Sequence, residues 1–266
     1  MLFERTKVQK DFSKLSKLFY GSAKAGKTSM AACQKDKEGR EPLFISTEDG
    51  LSALEVYSVR VTTWEGVKKL VGVLKENVEQ IRKDHSCIVV DLVSDLDVWC
   101  QEYIAKKNNV QHLADLQYGK GFSLSKSEMQ GVFRDLFDIL PVTFICHSTE
   151  KDMHWNGETL KLQAPSLSKA CLEYINGKVS LIAWFVPASS KKAMPSLTMK
   201  NTLTSIAGSR HRQIAREFQI DPNNPGATMA EIQKIFANER DAVIEEKDNA
   251  KKPVTSSPDS AQVATN

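Results

Sequence analysis

The octapeptide Gly21-Ser22-Ala23-Lys24-Ala25-Gly26-Lys27-Thr28 constrains this chain more than any other stretch of it. It fits G-x-x-x-x-G-K-[ST]. It also stands where the chemistry of that pattern needs it, after an alternating polar and apolar run (Lys14 to Tyr20) that reads as a strand and before a helix-forming run from Lys27. Glycines let the backbone amides turn inward around phosphates, and the helix that follows adds unpaired N–H groups at its positive end. Lys27 is expected to neutralise the β- and γ-phosphates of ATP and Thr28 to ligate Mg²⁺, with Gly21 through Ser29 forming the nucleotide contact. Lys24, inside the loop, is expected to be solvated.

The rest of the chain alternates strand and helix patterns. Strands are expected at Pro42 to Thr47, Ser86 to Val90 and Pro141 to Cys146, the last two as continuous apolar runs suited to strands covered on both faces. Apolar residues at Trp64, Val67, Leu70, Val71, Leu74, Val78 and Ile81 predict one helix with a single buried stripe. Further helices are expected over Asp97 to Lys107 and Ser127 to Leu140. After His147 the texture changes. His154-Trp155-Asn156-Gly157-Glu158 signals a hairpin, and Lys178 to Val186 and Ser196 to Leu203 read as strands that extend the sheet antiparallel at one side. A turn at Asp221 to Gly226 precedes a helix capped by Thr228 and running to about Glu245. The fold class expected is therefore α/β, a mainly parallel sheet sandwiched by helices, with antiparallel strands on the C-terminal side. Residues 1–12 are expected to be an N-terminal extension, 13–246 the core domain, and the polar 247–266 a disordered tail.

Three side chains at strand ends are candidates for chemistry. Asp91 closes SCIVVD, where a rigidly held carboxylate can hold the Mg²⁺ water shell; alone it would suit a turn former or helix cap, but beside a phosphate loop the metal role is preferred. Glu48 follows PLFIST and is the candidate base for the attacking water, although Glu48-Asp49-Gly50 also suits a solvated turn. His147 ends PVTFIC, where it could sense the γ-phosphate or serve as a satisfied structural histidine.

Composition removes several classes. No apolar run approaches the roughly 20 residues of a membrane span, and MLFERTKVQKDFSK has no apolar signal core, so a cytoplasmic location is expected. The five cysteines are scattered and form no Cys-x-x-Cys pair, so reduced core thiols are expected and zinc is not. A net charge of +3 permits a nucleic-acid partner without demonstrating one.

LFYGSAKAGKTS, PLFISTEDGLSAL, the Trp-led helix, SCIVVDLVSDL and LPVTFICHSTEK together resemble the phage nucleotide-binding family of RecA-like ATPases. More narrowly they resemble the Sak-type single-strand annealing recombinases of tailed phages. APSLSKA, LIAWF and PNNPGATMAEI are similar to that family as well, so the resemblance spans roughly Ser13 to Arg240. It implies a RecA-type core without the extra N-terminal domain of longer recombinases, Glu48 in the catalytic-base position, His147 as a phosphate sensor before a DNA-binding loop, and single-stranded DNA as partner. It also implies a basic finger reaching a neighbouring subunit's nucleotide, for which Lys200, Arg210 and Arg212 are the candidates. A homo-oligomer, and single-strand binding protein as a further partner, are expected; a membrane partner is not.

Single-strand binders need cations along the backbone and flat side chains for base stacking. Two stretches, both read as loops, offer these: Gln117 to Lys126, with Tyr118, Lys120, Phe122 and Lys126, and Lys151 to Lys161, with Lys151, His154, Trp155 and Lys161. Core packing for Tyr118 and Phe122 and a solvated face for the lysines stand against this; Trp155, beside an Asn-Gly turn, is harder to bury and is the better candidate. The function expected is that of an ATP-binding, Mg²⁺-dependent RecA-like protein that binds single-stranded DNA and promotes annealing or strand exchange in phage DNA recombination, whether or not annealing itself uses hydrolysis. The alternative is a nucleotide-dependent loader or regulator of replication proteins acting through protein contacts. A small-molecule kinase ranks last, because Arg60, Arg82 and Arg134 are dispersed rather than gathered in a lid.

Overall fold

The computed structural model describes residues 9–188, 190 and 193–237. Within them a single sheet is built around β1 (Lys17–Gly21), which pairs in parallel with β5 (Val142–Trp155) on one side and β7 (Leu181–Val186) on the other. Beyond β5 follow β4 (His85–Asp91), β2 (Glu41–Ser46) and the edge strand β3 (Tyr57–Arg60), all parallel. Beyond β7 the pairing turns antiparallel through β8 (Ser196–Thr198), β9 (Gly208–Ser209) and β10 (Glu217–Gln219).

The central strands are apolar throughout because both faces are covered. Leu18, Tyr20, Ile88, Val90 and Phe144 face one core with α2 (Trp64–Glu76), α4 (Val93–Lys107), α5 (Lys120–Ile139) and α6 (Lys169–Lys178). The alternate residues Phe19, Phe44, Val89 and Ile145 face a second core with α1 (Lys27–Ala32) and α7 (Pro225–Ala237). This is the expected α/β class, a mainly parallel sheet between helices with antiparallel strands at the C-terminal side.

Several boundaries differ from the sequence expectation, each for a local reason. The first strand starts at Lys17, not Lys14, because Asp11 caps a 3-10 turn over Phe12–Lys14 by accepting from the Ser13 amide. The helix expected from Trp64 to Ile81 is interrupted at Asn77, whose side-chain amide donates to the Val73 carbonyl at 2.8 Å and shares it with the Asn77 backbone amide at 3.2 Å; α3 (Val78–Asp84) continues beyond it. α4 and α5 both start earlier than expected, α5 by seven residues. β7 is parallel to its sheet neighbour, so only β8 to β10 supply the antiparallel extension, and β8 ends at Thr198 rather than near Leu203. α7 starts at Pro225, where a missing N–H costs nothing, with Asn224 Oδ1 accepting from the Ala227 amide at 3.1 Å. Thr228 is therefore inside the helix, donating to Gln219 O, and not its cap. β3 and α6 had no counterpart in the pattern reading. The expected tail over 247–266, most of the extension over 1–12, and the stretch from Asn238 to Glu245 lie outside the described residues.

Candidate nucleotide site and neighbouring surfaces

Parallel register brings the functional side chains to one end of the sheet. Gly21 is opposite His147 on β5 and Phe185 on β7, while Asp91 is opposite Ile145 on β5 and Ser46 on β2. The phosphate loop, His147, Asp91 and the residues after Ser46 are thus neighbours at the carboxyl ends of the strands, where open α/β sheets bind ligands. Gly21 is required by close approach: a Cβ there would lie 2.6 Å from Phe185 O. Gly26 is required by conformation, with φ at +85° immediately before α1. Ser22, Ala23 and Lys24 are exposed, and Lys24 is solvated as expected.

Lys27 is buried, and its ammonium donates to the carbonyls of Gly21 at 3.1 Å and Ser22 at 2.7 Å. Burial lowers its pKa, against the opposing pull of Asp91, Cys146 and Glu48. The Thr28 hydroxyl donates to Asp91 Oδ2 at 2.7 Å. Burial raises the pKa of Asp91, and Glu48 raises it further, while the Thr28 bond, Lys27 and His147 act the other way. Desolvation thus disfavours the charged form of both groups, the condition in which a charged ligand would be strongly felt. Asp91 Oδ1 is buried with no hydrogen-bond partner. A buried orphan carboxylate oxygen beside a threonine hydroxyl suits Mg²⁺, which takes only one or two protein oxygens and completes its shell with phosphate and water.

Glu48 is exposed at the tip of β2, its charge felt by both Lys27 and Asp91. Its backbone is well fixed: its carbonyl accepts from Ser46 Oγ at 2.6 Å, and the amide of Thr47 donates to Asp91 O at 2.8 Å. Two residues that the sequence reading missed stand here. The Thr47 hydroxyl donates to Asp95 Oδ2 at 2.6 Å and accepts from the Leu92 amide at 3.0 Å. A threonine directly before the candidate base was the available signal.

The two stretches read as loops are largely regular structure. Lys120, Phe122 and Lys126 lie in the first turns of α5, with Tyr118 just before them in a left-handed turn at φ 55°. Tyr118 is fully exposed and Phe122 54% exposed, which removes core packing as their role. Lys151 to Lys161 is a β-hairpin of β5 with β6 (Glu158–Pro165), turning at Asn156-Gly157 with positive φ at both residues. Trp155 is half-exposed beside a groove of about 510 Å³ with Met153, Leu162, Met199 and Leu203 in its walls. Lys161 is ion-paired with Asp152 at 2.6 Å and Glu150 at 3.5 Å.

The finger candidates are not at the phosphate loop of their own chain. Arg210 donates to Gly177 O and its amide to Ser180 O, at the amino end of β7, so Arg210 and Arg212 lie at the opposite end of the sheet from Gly21. Lys200 is exposed just past β8.

No helix among the described residues is long and apolar enough to cross a membrane. Residues 13–211, well over half of the chain, match the family model AAA_24, described as an AAA domain. The SPbeta prophage-derived uncharacterized protein YorG of Bacillus subtilis (strain 168) is 27% identical over 136 residues, covering 49% of this chain and 40% of the relative. The chain thus spans less than half the length of that curated relative.

Proposed function

The chain belongs to the AAA_24 family of P-loop ATPases, and from that premise we propose a Mg²⁺-dependent RecA-like ATPase that binds single-stranded DNA as a homo-oligomer and promotes annealing or strand exchange in phage recombination. The prophage origin of the partial relative supports the phage setting. One observation carries the reading: Lys27, Thr28 and Asp91 meet at the strand ends with one oxygen of Asp91 buried and unpartnered.

The nucleotide's triphosphate gives the Lys27 ammonium a stronger acceptor than the Gly21 and Ser22 carbonyls it now holds. Thr28 and Asp91 are the residues that would hold Mg²⁺, which would supply charge neutralisation on the transferring group. Glu48, exposed at the tip of β2, takes the proton of the attacking water, and His147, beside Gly21, is placed to sense the γ-phosphate. A Lys or Arg of a neighbouring copy completes the charge, with Lys200, Arg210 and Arg212 the candidates.

For DNA, the start of α5 is favoured over the hairpin. Tyr118 and Phe122 present faces for stacking, and neither Lys120 nor Lys126 is ion-paired among the described residues, whereas Lys161 of the hairpin is held by two carboxylates. Those hairpin carboxylates favour a second reading, in which Trp155 and its groove engage a protein and the molecule loads or regulates replication proteins, single-strand binding protein among them. Fluorescence anisotropy of labelled single-stranded DNA, with and without ATP and Mg²⁺ over a salt series, separates the two. The DNA reading expects salt-dependent binding that Phe122→Ala weakens by about 1–3 kcal/mol. Absent binding moves the reading to protein contacts, and an effect confined to Trp155→Ala moves the DNA site to the hairpin. Lys27→Ala should abolish hydrolysis; near-normal turnover by that variant removes the phosphate-loop assignment.

A further inference from the structure

We infer that Thr47 and Asp95 form a positioning pair that fixes the catalytic carboxylate Glu48 relative to Asp91, an inference that rests on the ATPase reading above. Their bonds run from the tip of β2 to the end of β4 and the first turn of α4, and so link the two strands that deliver the hydrolytic and metal-side carboxylates.

The amide and hydroxyl of Thr47 bond to the end of β4 and to the segment that follows it. Its amide donates to Asp91 O at 2.8 Å, its hydroxyl accepts from the Leu92 amide at 3.0 Å, and the same hydroxyl donates to Asp95 Oδ2 at 2.6 Å. The residue is buried, at 7% exposure, so these bonds are little competed by water. α4 has no side-chain cap of its own, since Leu92 occupies that position; the hydroxyl from the neighbouring strand holds the Leu92 amide instead. On the other side, Ser46 Oγ donates to the carbonyl of Glu48. Glu48 is therefore the first residue of the β2 tip whose side chain is exposed, directly after a residue bonded to the end of the metal-side strand, to the Leu92 amide that follows it and to Asp95 in the first turn of α4.

A carboxylate on a free loop would sample a wide range of distances to the attacking water. Near-attack geometry is steep in distance: a displacement of about 1 Å can cost on the order of a hundredfold in rate. Nucleotide affinity, by contrast, comes from the loop, Lys27 and the side chains of Thr28 and Asp91, none of which bonds the Thr47 hydroxyl, since the clamp reaches Asp91 only through its backbone carbonyl. Loss of the Thr47 hydroxyl should thus separate turnover from binding. A merely structural role would lower the folded fraction and move both together.

The test measures kcat for ATP hydrolysis, the Kd of a fluorescent ATP analogue with Mg²⁺, and thermal stability for wild type, Thr47→Val, Thr47→Ser and Asp95→Ala. Thr47→Val, nearly isosteric without the hydroxyl, is expected to lose roughly 30–100-fold in kcat while Kd stays within about threefold. Thr47→Ser, which restores the hydroxyl, should return kcat to within about threefold of wild type, and Asp95→Ala should lose turnover in the same direction. Should Thr47→Val fail to fold, Asp95→Ala at its half-buried site decides the matter. Wild-type turnover in Thr47→Val or in Asp95→Ala overturns the inference, as does a kcat for Thr47→Ser as low as for Thr47→Val. If the wild-type protein binds no nucleotide and hydrolyses none, the ATPase reading falls and the inference with it. Hydrolysis by wild type with equally active variants sinks the inference alone.

Discussion

Lys17 shows how a single residue can load a fold. It opens β1 from a fully buried position, its ammonium donating to Leu15 O at 2.7 Å and lying 4.7 Å from the centroid of the Phe12 ring. Burial pushes its pKa down to about 8, partly offset by Cys87 and Asp11. Below about pH 8 both folded and unfolded chains carry the proton, and the folded state bears the full cost of burying the charge. Between about 8 and the ordinary lysine value of 10.5, the folded chain has released a proton that the unfolded chain still holds, so stability rises with pH across that window. The span corresponds to a gain on the order of 3 kcal/mol. Urea unfolding at pH 7.5, 8.5 and 9.5 should show this upward trend in wild type relative to Lys17→Met, which has no proton to release. Parallel profiles for the two proteins would mean that the ammonium is not buried in the charged form. The phosphate-loop residues were legible from sequence because their spacing encodes a backbone shape. Lys17 was not, because a lysine in an alternating run reads as a surface position.

At the level of elements, legibility followed how strongly each one advertises a single period. The buried parallel strands β2, β4 and the first half of β5 emerged close to their observed bounds, since both faces are covered and the run is continuously apolar. The start of α5 did not, because Gly119, Gly121 and serines at 123, 125 and 127 mimic a loop. The reason for one of those glycines is tertiary: a Cβ on Gly121 would lie 2.4 Å from Leu113 O and 3.0 Å from its Cα, so the connector between α4 and α5 packs directly on the helix backbone. Backbone cannot swing aside as a side-chain end can. Gly121→Ala should therefore destabilise by about 1–3 kcal/mol despite the better helix propensity of alanine. Gly131 in the same helix has nothing within 4 Å of the position a Cβ would take, and Gly131→Ala should stabilise by up to about 1 kcal/mol. Opposite signs in thermal melts of the two variants would establish that the early start of α5 is set by contact with Leu113. Equal signs would refute it. The DNA candidates Lys120, Phe122 and Lys126 lie on this same stretch, so their spacing is helical and their presentation rigid.

Over the whole molecule, the candidate site is assembled from pieces far apart in sequence: the loop after β1, the tip of β2, Asp91 on β4 and His147 on β5. Among the described residues these pieces are tied together at that end by the sheet, by the Thr28–Asp91 bond and by the bonds of the Thr47 hydroxyl to Leu92 and Asp95. A ligand that touches several of them should stabilise the folded chain as a unit, since binding to the native state alone adds RT ln(1 + [L]/Kd), about 2.7 kcal/mol at a hundred times Kd. For a protein of this size each kcal/mol is worth about 2–4 °C, so ATP with Mg²⁺ at that excess should raise the melting temperature by about 5–10 °C. The desolvation that now disfavours the charged forms of Lys27 and Asp91 makes the metal's share separable. Asp91→Asn relieves the buried charge, so the variant alone should melt no lower than wild type by more than about 1 kcal/mol while its ATP-induced shift becomes the same with Mg²⁺ as with a chelator. A metal-dependent shift that survives Asp91→Asn would move the metal site away from β4. A wild-type melt indifferent to ATP would leave the orphan oxygen of Asp91 without the ligand that its burial beside Lys27 and Thr28 calls for.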